Sequence, residues 1–306
     1  IYTLSLHDAL PILADKVLQN LYWQDKREAQ ADSGHPYSME QLTFEENPYI
    51  NITEYTQIAM LTMEVAILKV LEAKGLKAEM AAGLSLGEYG ALAAAGVMEL
   101  PDLFRIIRMR GIYMQEAYPE GGAMTAVLGL DGDAVAAICE RTAKETGKVV
   151  SVANYNCPGQ IVITGEADAV EAASEALKEA GAKRCVPLKV SGPFHSALLK
   201  NAGEQLAEEL KSVKLSTPWI PYVSNVTADY VTDASQVAEL LKQQVSSPVH
   251  FTQSVERMIA DGVDTFIEIG PGKTLSSFVR KIDRNVKVCN IEKPEDLDRV
   301  MEELAC

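Results

Sequence analysis

Positive charge, histidine and cysteine are all scarce in this chain, and it has no long apolar run. It carries 28 Lys and Arg against 43 Asp and Glu, a formal net charge of −15 at pH 7. That imbalance argues against nonspecific nucleic-acid binding, which needs a basic face. It is also awkward for an acidic protein partner, which would have to find a local cluster of cations. The five cysteines (Cys139, Cys157, Cys185, Cys289 and Cys306) are odd in number, scattered and without metal-ligand spacing. They read as reduced thiols of a cytoplasmic protein, with no metal site. No stretch reaches the roughly 20 apolar residues of a membrane span; the run from Ile58 to Leu71 is broken by Thr62, Glu64 and Lys69. No secretory signal is read, and no internal repeat or low-complexity tract. The four histidines, His7, His35, His195 and His250, leave few candidates for a base near neutral pH.

What is present is ample apolar material, 47% of 306 residues, enough for about two domains or one large domain with an insertion. The stretch from Met80 to Tyr89 organises the rest. It reads as a short apolar strand, a G-x-S-x-G turn over Gly83, Ser85 and Gly87, and the start of an alanine-rich helix. Flanking glycines permit a turn too sharp for side chains, so the serine hydroxyl projects above the sheet edge. The helix that follows aims its free N–H groups and positive dipole end at the same place. A serine hydroxyl needs a base. His195, in SGPFHSALL, stands where an extended run ends in a Gly-Pro turn before a helix, and is the candidate. His7 and the His250 side chain are assigned no role.

Taken in order, residues 1–12 are read as non-native sequence, and a helical pattern runs from Leu13 to about Arg27. A long amphipathic helix opens near Asn51 and closes at Gly75, with Ile58, Leu61, Val65, Leu68 and Leu71 at helical spacing. Tyr55 and Gln57 near its start could face the site, although polar residues of a first helical turn are more often solvated. Pro101-Asp102 starts the next helix. Its Arg105 and Arg108 fit a solvated face, while Arg110 points elsewhere. From Gly121-Gly122 to Leu188 the periods alternate strand, helix, strand, strand, helix, strand, the ferredoxin-like order. Asn154, Asn156 and Gln160 border its Cys157-Pro158-Gly159 turn. Strands are then expected over WIPYVSN, DTFIEIG and VKVCNI, with helices between and after them. Gly270-Pro271-Gly272-Lys273-Thr274 is no phosphate loop, because Ile267 occupies the position where that motif needs glycine.

GLSLGEYGALAAAGV, MRGIYMQEA, NYNCPGQIVITG, SGPFHSALL, SSPVHFTQSV and FIEIGPGKTL together resemble, in order and spacing, the bacterial malonyl-CoA:acyl carrier protein transacylases. The resemblance runs from about residue 13 to 306. It implies an α/β fold: an α/β-hydrolase-like large domain (13–120 and 189–306) with a parallel central sheet, and an inserted ferredoxin-like subdomain (121–188). It assigns the acyl-carrying nucleophile to Ser85, the base to His195, an oxyanion donor to the Leu86 N–H and the carboxylate clamp to Arg110. The group orienting His195 would be the main-chain carbonyl of His250, with Glu268 a structural residue. Asn154 and Asn156 would touch substrate, and Phe194 would crowd its α-carbon. The implied partners are malonyl-CoA and acyl carrier protein, with no cofactor; Lys189, Lys200, Arg280 and Lys281 would dock the carrier.

Two departures stand out. Leu84 replaces the family's histidine before the serine, and the N-terminal G-Q-G-S-Q turn, source of a second oxyanion donor, is not found. The chain as written is therefore expected to be weakly stable and poorly active. Other readings stay open at this point: a serine esterase with the same elbow, the acyltransferase module of a larger synthase, and an impaired carrier-protein binder.

Overall fold

The computed structural model describes residues 52–190 and 192–305. The expectations for residues 1–12, for the Leu13–Arg27 helix and for the N-terminal turn lie outside the described residues. Helix α1 (Thr53–Ala73) is buried on two sides rather than one: Ile58, Leu61 and Val65 face the large core, while Ile67, Val70 and Leu71 pack with Cys289, Ile291 and Leu297. It stops at Gly75, whose φ of +87° suits a residue without a Cβ. The apolar run before Ser85 is shorter than a strand, contributing only a parallel bridge from Ala81 to Tyr222. Helix α2 (Gly87–Ala94) follows the turn, and α3 (Leu100–Ala117) starts with Pro101 in its first turn. Helices α1 and α3 pack so closely that a Cβ on Gly111 would lie 2.8 Å from the Glu54 Cα. This close approach brings Arg110, one residue earlier, against the first turns of α1.

A smaller unit comes next: β1 (Gly122–Leu128), α4 (Gly132–Thr146), β2 (Val150–Cys157), β3 (Gln160–Glu166), α5 (Ala167–Glu179) and β4 (Arg184–Pro187). Its sheet is antiparallel in the order β2-β3-β1-β4. Alternation decides its two faces. Val127, Val152 and Ile163 pack under the helices with Val135, Val170 and Leu177. Met124, Ala153 and Val162 face the other way, onto Phe194.

The chain then runs through a 3₁₀ turn (Ala197–Leu199), α6 (Lys200–Leu210), β5 (Tyr222–Val223), β6 (Tyr230–Val231) and α7 (Ala234–Gln244). After these come α8 (Phe251–Ala260), β7 (Thr265–Ile269), α9 (Thr274–Ile282), β8 (Lys287–Ile291) and α10 (Pro294–Ala305). The strand expected over WIPYVSN shrinks to β5, paired antiparallel with β6. Pro218 and Pro221 lack the N–H a ladder needs. Strands β7 and β8 pair in parallel. The N–H groups of Tyr155 and Val249 donate to the carbonyls of Val249 and Ala153 at 2.9 and 2.8 Å, stitching β2 to the loop before α8. At the G-P-G-K-T turn, Glu268 accepts from the N–H groups of Leu275 and Ser276 at 2.9 and 2.8 Å. Its carboxylate occupies the donors a phosphate would need, and it caps α9. Among the described residues no helix is long and apolar enough to cross a membrane.

Candidate active site

Ser85 sits at the tip of the turn with φ +55°, a left-handed conformation that costs a non-glycine residue about 1–3 kcal/mol. Asn225 holds it there. Its Oδ1 accepts from the Ser85 N–H at 2.6 Å, and its Nδ2 donates to the Gly83 carbonyl at 2.6 Å. Of the two glycines, space demands only Gly83, whose added Cβ would overlap the Gly87 carbonyl at 2.0 Å. A Cβ on Gly87 would meet nothing within 4 Å, which corrects the expectation that both positions must be bare. The Leu86 N–H makes no hydrogen bond to any described residue.

His195, on the loop before the 3₁₀ turn, is also left-handed (φ +60°) and is buried. Its Nε2 is 2.7 Å from Ser85 Oγ, and its Nδ1 is 2.8 Å from the main-chain carbonyl of Gln244. A carbonyl only accepts, so Nδ1 carries the proton and Nε2 presents its lone pair to the serine. Burial, with the nearby Arg110 charge, lowers the His195 pKa to about 4, against the pull of backbone bonds to Gln244 and Ser247. The expectation that His250 orients this ring is corrected. Its carbonyl accepts from the N–H and hydroxyl of Ser254 at 2.9 and 2.8 Å. The first turn of α8 has claimed it, whereas the Gln244 carbonyl at the end of α7 lacks a following helical donor. The His250 ring instead stacks on Tyr155, centroids 5.1 Å apart.

Arg110 is 1% exposed, the largest fully buried side chain among the described residues. One Nη donates to Gln57 Oε1; the other donates to Gln244 Oε1 at 3.0 Å and to Ser85 Oγ at 3.1 Å. Its guanidinium lies 5.4 Å from the Tyr89 ring centroid, and Nε has no partner among the described residues. No described carboxylate lies within ion-pair distance of it. Nucleophile, base and a cation without a paired anion thus meet within one hydrogen-bonded cluster.

The acyl transferase domain family model matches residues 19–293. The chain belongs to this acyl transferase family. Over 256 residues it is 45% identical to the malonyl CoA-acyl carrier protein transacylase of Bacillus subtilis (strain 168), covering 83% of this chain and 80% of that one. Its fold matches the crystal structure of the malonyl CoA-acyl carrier protein transacylase from Clostridium perfringens with TM-score 0.86 and 39% identity, over 97% of this chain and 90% of that one. It likewise matches a malonyl-transacylase solved in complex with its type II PKS acyl-carrier protein, with TM-score 0.85 and 36% identity over 97% and 91%.

Within this acyl transferase the remaining candidates fall into place unevenly. Phe194 bridges the two units, touching both the large core and the Met124–Val162 face. Asn154 and Asn156 are buried on β2, the latter with an unpartnered Oδ1. Leu84 packs among Val249, Phe251 and Phe278, away from any polar relay. Gln57 is buried against Arg110 rather than solvated, and Arg108 lies over the Tyr55 ring and donates to the Glu54 carbonyl at 2.8 Å. Lys189 and Lys200 are exposed, Arg280 is engaged with the Val288 carbonyl and Lys281 with Gln160. Three buried residues escaped the sequence reading altogether. Gln244 binds Arg110, Ser85, His195 and Glu88; Asn225 clips the elbow; Glu88 lies beneath both. No spacing rule marks Gln244 or Asn225, since neither lies in a motif and amides are common at element ends.

Proposed function

We propose that this acyl transferase moves a malonyl group from malonyl-CoA to the phosphopantetheine thiol of an acyl carrier protein, through a malonyl ester on Ser85. The observation that carries it is that one oxygen, Ser85 Oγ, lies 2.7 Å from a neutral histidine nitrogen and 3.1 Å from a buried guanidinium. A nucleophile beside such a cation suits an acyl group that ends in a carboxylate, and Arg110 can grip one bidentately. The names of the relatives favour the same substrates.

In the loading step His195 Nε2 takes the hydroxyl proton as Ser85 Oγ attacks the thioester carbonyl. The tetrahedral oxygen is met by the free Leu86 N–H at the start of α2. The C–S bond breaks, and the imidazolium returns its proton to the departing coenzyme A sulfur. In the second step the carrier thiol gives its proton to Nε2 and attacks the malonyl ester. Ser85 leaves and regains the proton. The Gln244 carbonyl steadies the imidazolium that forms in each step, as a neutral counterpart of the usual aspartate.

For the fold we read the smaller unit as a ferredoxin-like subdomain, supported by its element order and antiparallel strand order, inserted in an α/β-hydrolase-like domain. Phe194 packs where the smaller sheet meets the large unit, and Asn154 bridges to Val249 there; to these two and Asn156 we assign contact with the acyl-pantetheine arm. Lys189 and Lys200, on either side of His195, are the cations we assign to the acidic carrier, steered over a Debye length of about 8–10 Å. Intact-mass measurement after exposure to malonyl-CoA tests the reading. A malonyl adduct that maps to Ser85, disappears in Ser85→Ala and is discharged by carrier protein is the expected result. Ester hydrolysis without an adduct would point to an esterase instead.

A further inference from the structure

The mechanism gives Glu88 no task, yet it is among the most completely buried polar residues of the site, in the first turn of α2. Its Oε2 accepts from Gln244 Nε2 at 2.7 Å and from the Asn225 N–H at 3.2 Å, while Oε1 has no partner among the described residues. The Gln244 amide in turn presents its oxygen to Arg110 at 3.0 Å. One amide therefore stands between a carboxyl group and a guanidinium, its nitrogen end toward one and its oxygen end toward the other. Among the described residues, the other titratable groups that act on Glu88 are Tyr89 on its own helix and Tyr222 on β5, both kept un-ionised by burial; from α1, the buried Glu64 carboxyl meets the same helix at Gly90. His195 faces Arg110 from the far side and is neutral. Glu88 is thus the carboxyl group whose charge reaches Arg110. Burial raises its pKa to about 7, with its two hydrogen bonds and Arg110 pulling the other way.

We propose that Glu88 is a positioning residue that balances the Arg110 charge in the empty site and takes up a proton when an acyl carboxylate reaches Arg110. The inference rests on the reading of Arg110 as a carboxylate clamp. Two anions about one buried cation are unfavourable, so one must be neutralised. The incoming carboxylate is an ordinary strong one, and Glu88 is the group already near its titration point. The proton comes from solvent and goes to Oε1, the oxygen with no partner. Oε2 keeps both accepted bonds, so Gln244 and Asn225 hold their places while the charge changes. Malonyl binding and proton uptake are then linked, and a neutral acyl group such as acetyl has no such link.

Calorimetric titration of Ser85→Ala protein at pH 7.5, in two buffers with different heats of ionisation, counts the protons exchanged. Malonyl-CoA should take up a substantial fraction of a proton more than acetyl-CoA, which corrects for the shared coenzyme phosphates. Adding Glu88→Gln should remove the difference. In steady state, the KM for malonyl-CoA should rise by up to about tenfold per pH unit above neutrality in the native chain. In Glu88→Gln it should stay flat, with kcat much less affected, whereas Glu88→Ala, which strands the Gln244 and Asn225 donors, should lose kcat as well. Equal uptake for the two thioesters, or an uptake that survives Glu88→Gln, overturns the proposal even where Ser85 is malonylated normally. The thioester comparison needs only Glu88-containing protein, so a misfolded Glu88→Gln variant does not rescue the idea. Absence of any malonyl–Ser85 adduct in the native chain would instead sink the transferase reading, and this inference with it.

Discussion

Nδ1 of His195 lies 2.8 Å from the main-chain carbonyl of Gln244, so the ring is fixed by a neutral acceptor and not by a carboxylate. A buried imidazole with no anion beside it, and with Arg110 close by, resists protonation. The sign follows directly. A lowered pKa keeps the base form populated as pH falls, and base catalysis is lost only as pH approaches about 4. The acid limb of kcat/KM for malonyl loading should therefore sit well below the pH of about 6.5 of an ordinary histidine. With malonate on Arg110 that cation is screened, and the acid limb of kcat should move upward relative to that of kcat/KM. His195→Ala should slow loading by roughly 10²–10⁴. Rapid-quench measurement of the acyl-enzyme across pH checks all three.

Arg110→Ala should weaken malonyl transfer and compress the preference for malonyl over acetyl, which we expect to be on the order of 10³ or more in the native chain by the logic of unpaired buried polar groups. The same substitution frees the Oε1 atoms of Gln57 and Gln244, so some loss of stability should accompany it. Competition between the two thioesters, read as a ratio of kcat/KM, separates specificity from stability. An unchanged ratio would put the carboxylate elsewhere.

Gly83→Ala should abolish loading, because its new methyl meets main chain rather than a movable side chain, 2.0 Å from the Gly87 carbonyl. Gly87→Ala finds open space and should retain at least a tenth of native activity. Adduct formation by intact mass, together with melting temperature, tests the pair. Equal damage at both positions would contradict the asymmetry of the turn.

Glu64 lies buried on α1, its Oε2 without a hydrogen-bond partner among the described residues, and burial raises its pKa to about 8. The folded chain thus binds this proton more tightly than the unfolded one. Stability from this site is fully present below about pH 4.5 and is lost progressively as pH climbs toward 8. Glu64→Met, apolar and of similar length, should raise stability by about 2 kcal/mol or more at pH 8 and by little near pH 5. Urea unfolding at the two pH values measures the difference; a gain that is equal at both would show that the carboxyl does not titrate there.

What could be read in the chain beforehand depended on how local the cause was. Helices α3 and α7 announce themselves by apolar spacing, and the smaller unit by its alternating periods, because each period reflects one buried face; α1 is legible as a helix although two of its sides are covered. Ser85 and His195 were legible through turn chemistry that only a few residues can satisfy. Arg110 was legible through its motif. Asn225, Gln244 and Glu88 were not, since each acts through distant partners: 140 residues separate Asn225 from Ser85, 156 separate Glu88 from Gln244, and 159 separate Gln244 from the Ser85 carbonyl that its amide contacts. The carbonyl that meets His195 is that of Gln244 and not of His250, because the first turn of α8 claims the latter, and sequence alone does not show which main-chain carbonyls a helix leaves free. WIPYVSN reads as a full strand until Pro221 within it and Pro218 just before it are counted as missing donors.

The pair of hydrogen bonds joining β2 to Val249 divides the molecule differently from the order of the chain. Val249 is followed by His250, whose N–H donates to the carbonyl of Asn225, and Asn225 grips Ser85. The smaller sheet is therefore coupled to the nucleophile by a short path that never passes through residues 121 or 188. For recombination between homologues this sets the usable crossover points. A graft of residues 121–188 alone would bring a β2 shaped for another loop, and the mismatch would be felt at the serine. A graft that carries the segment around residues 247–252 with it would move the seam into α7 and α8, where helices tolerate exchange. The inheritable block is a patchwork of two distant stretches.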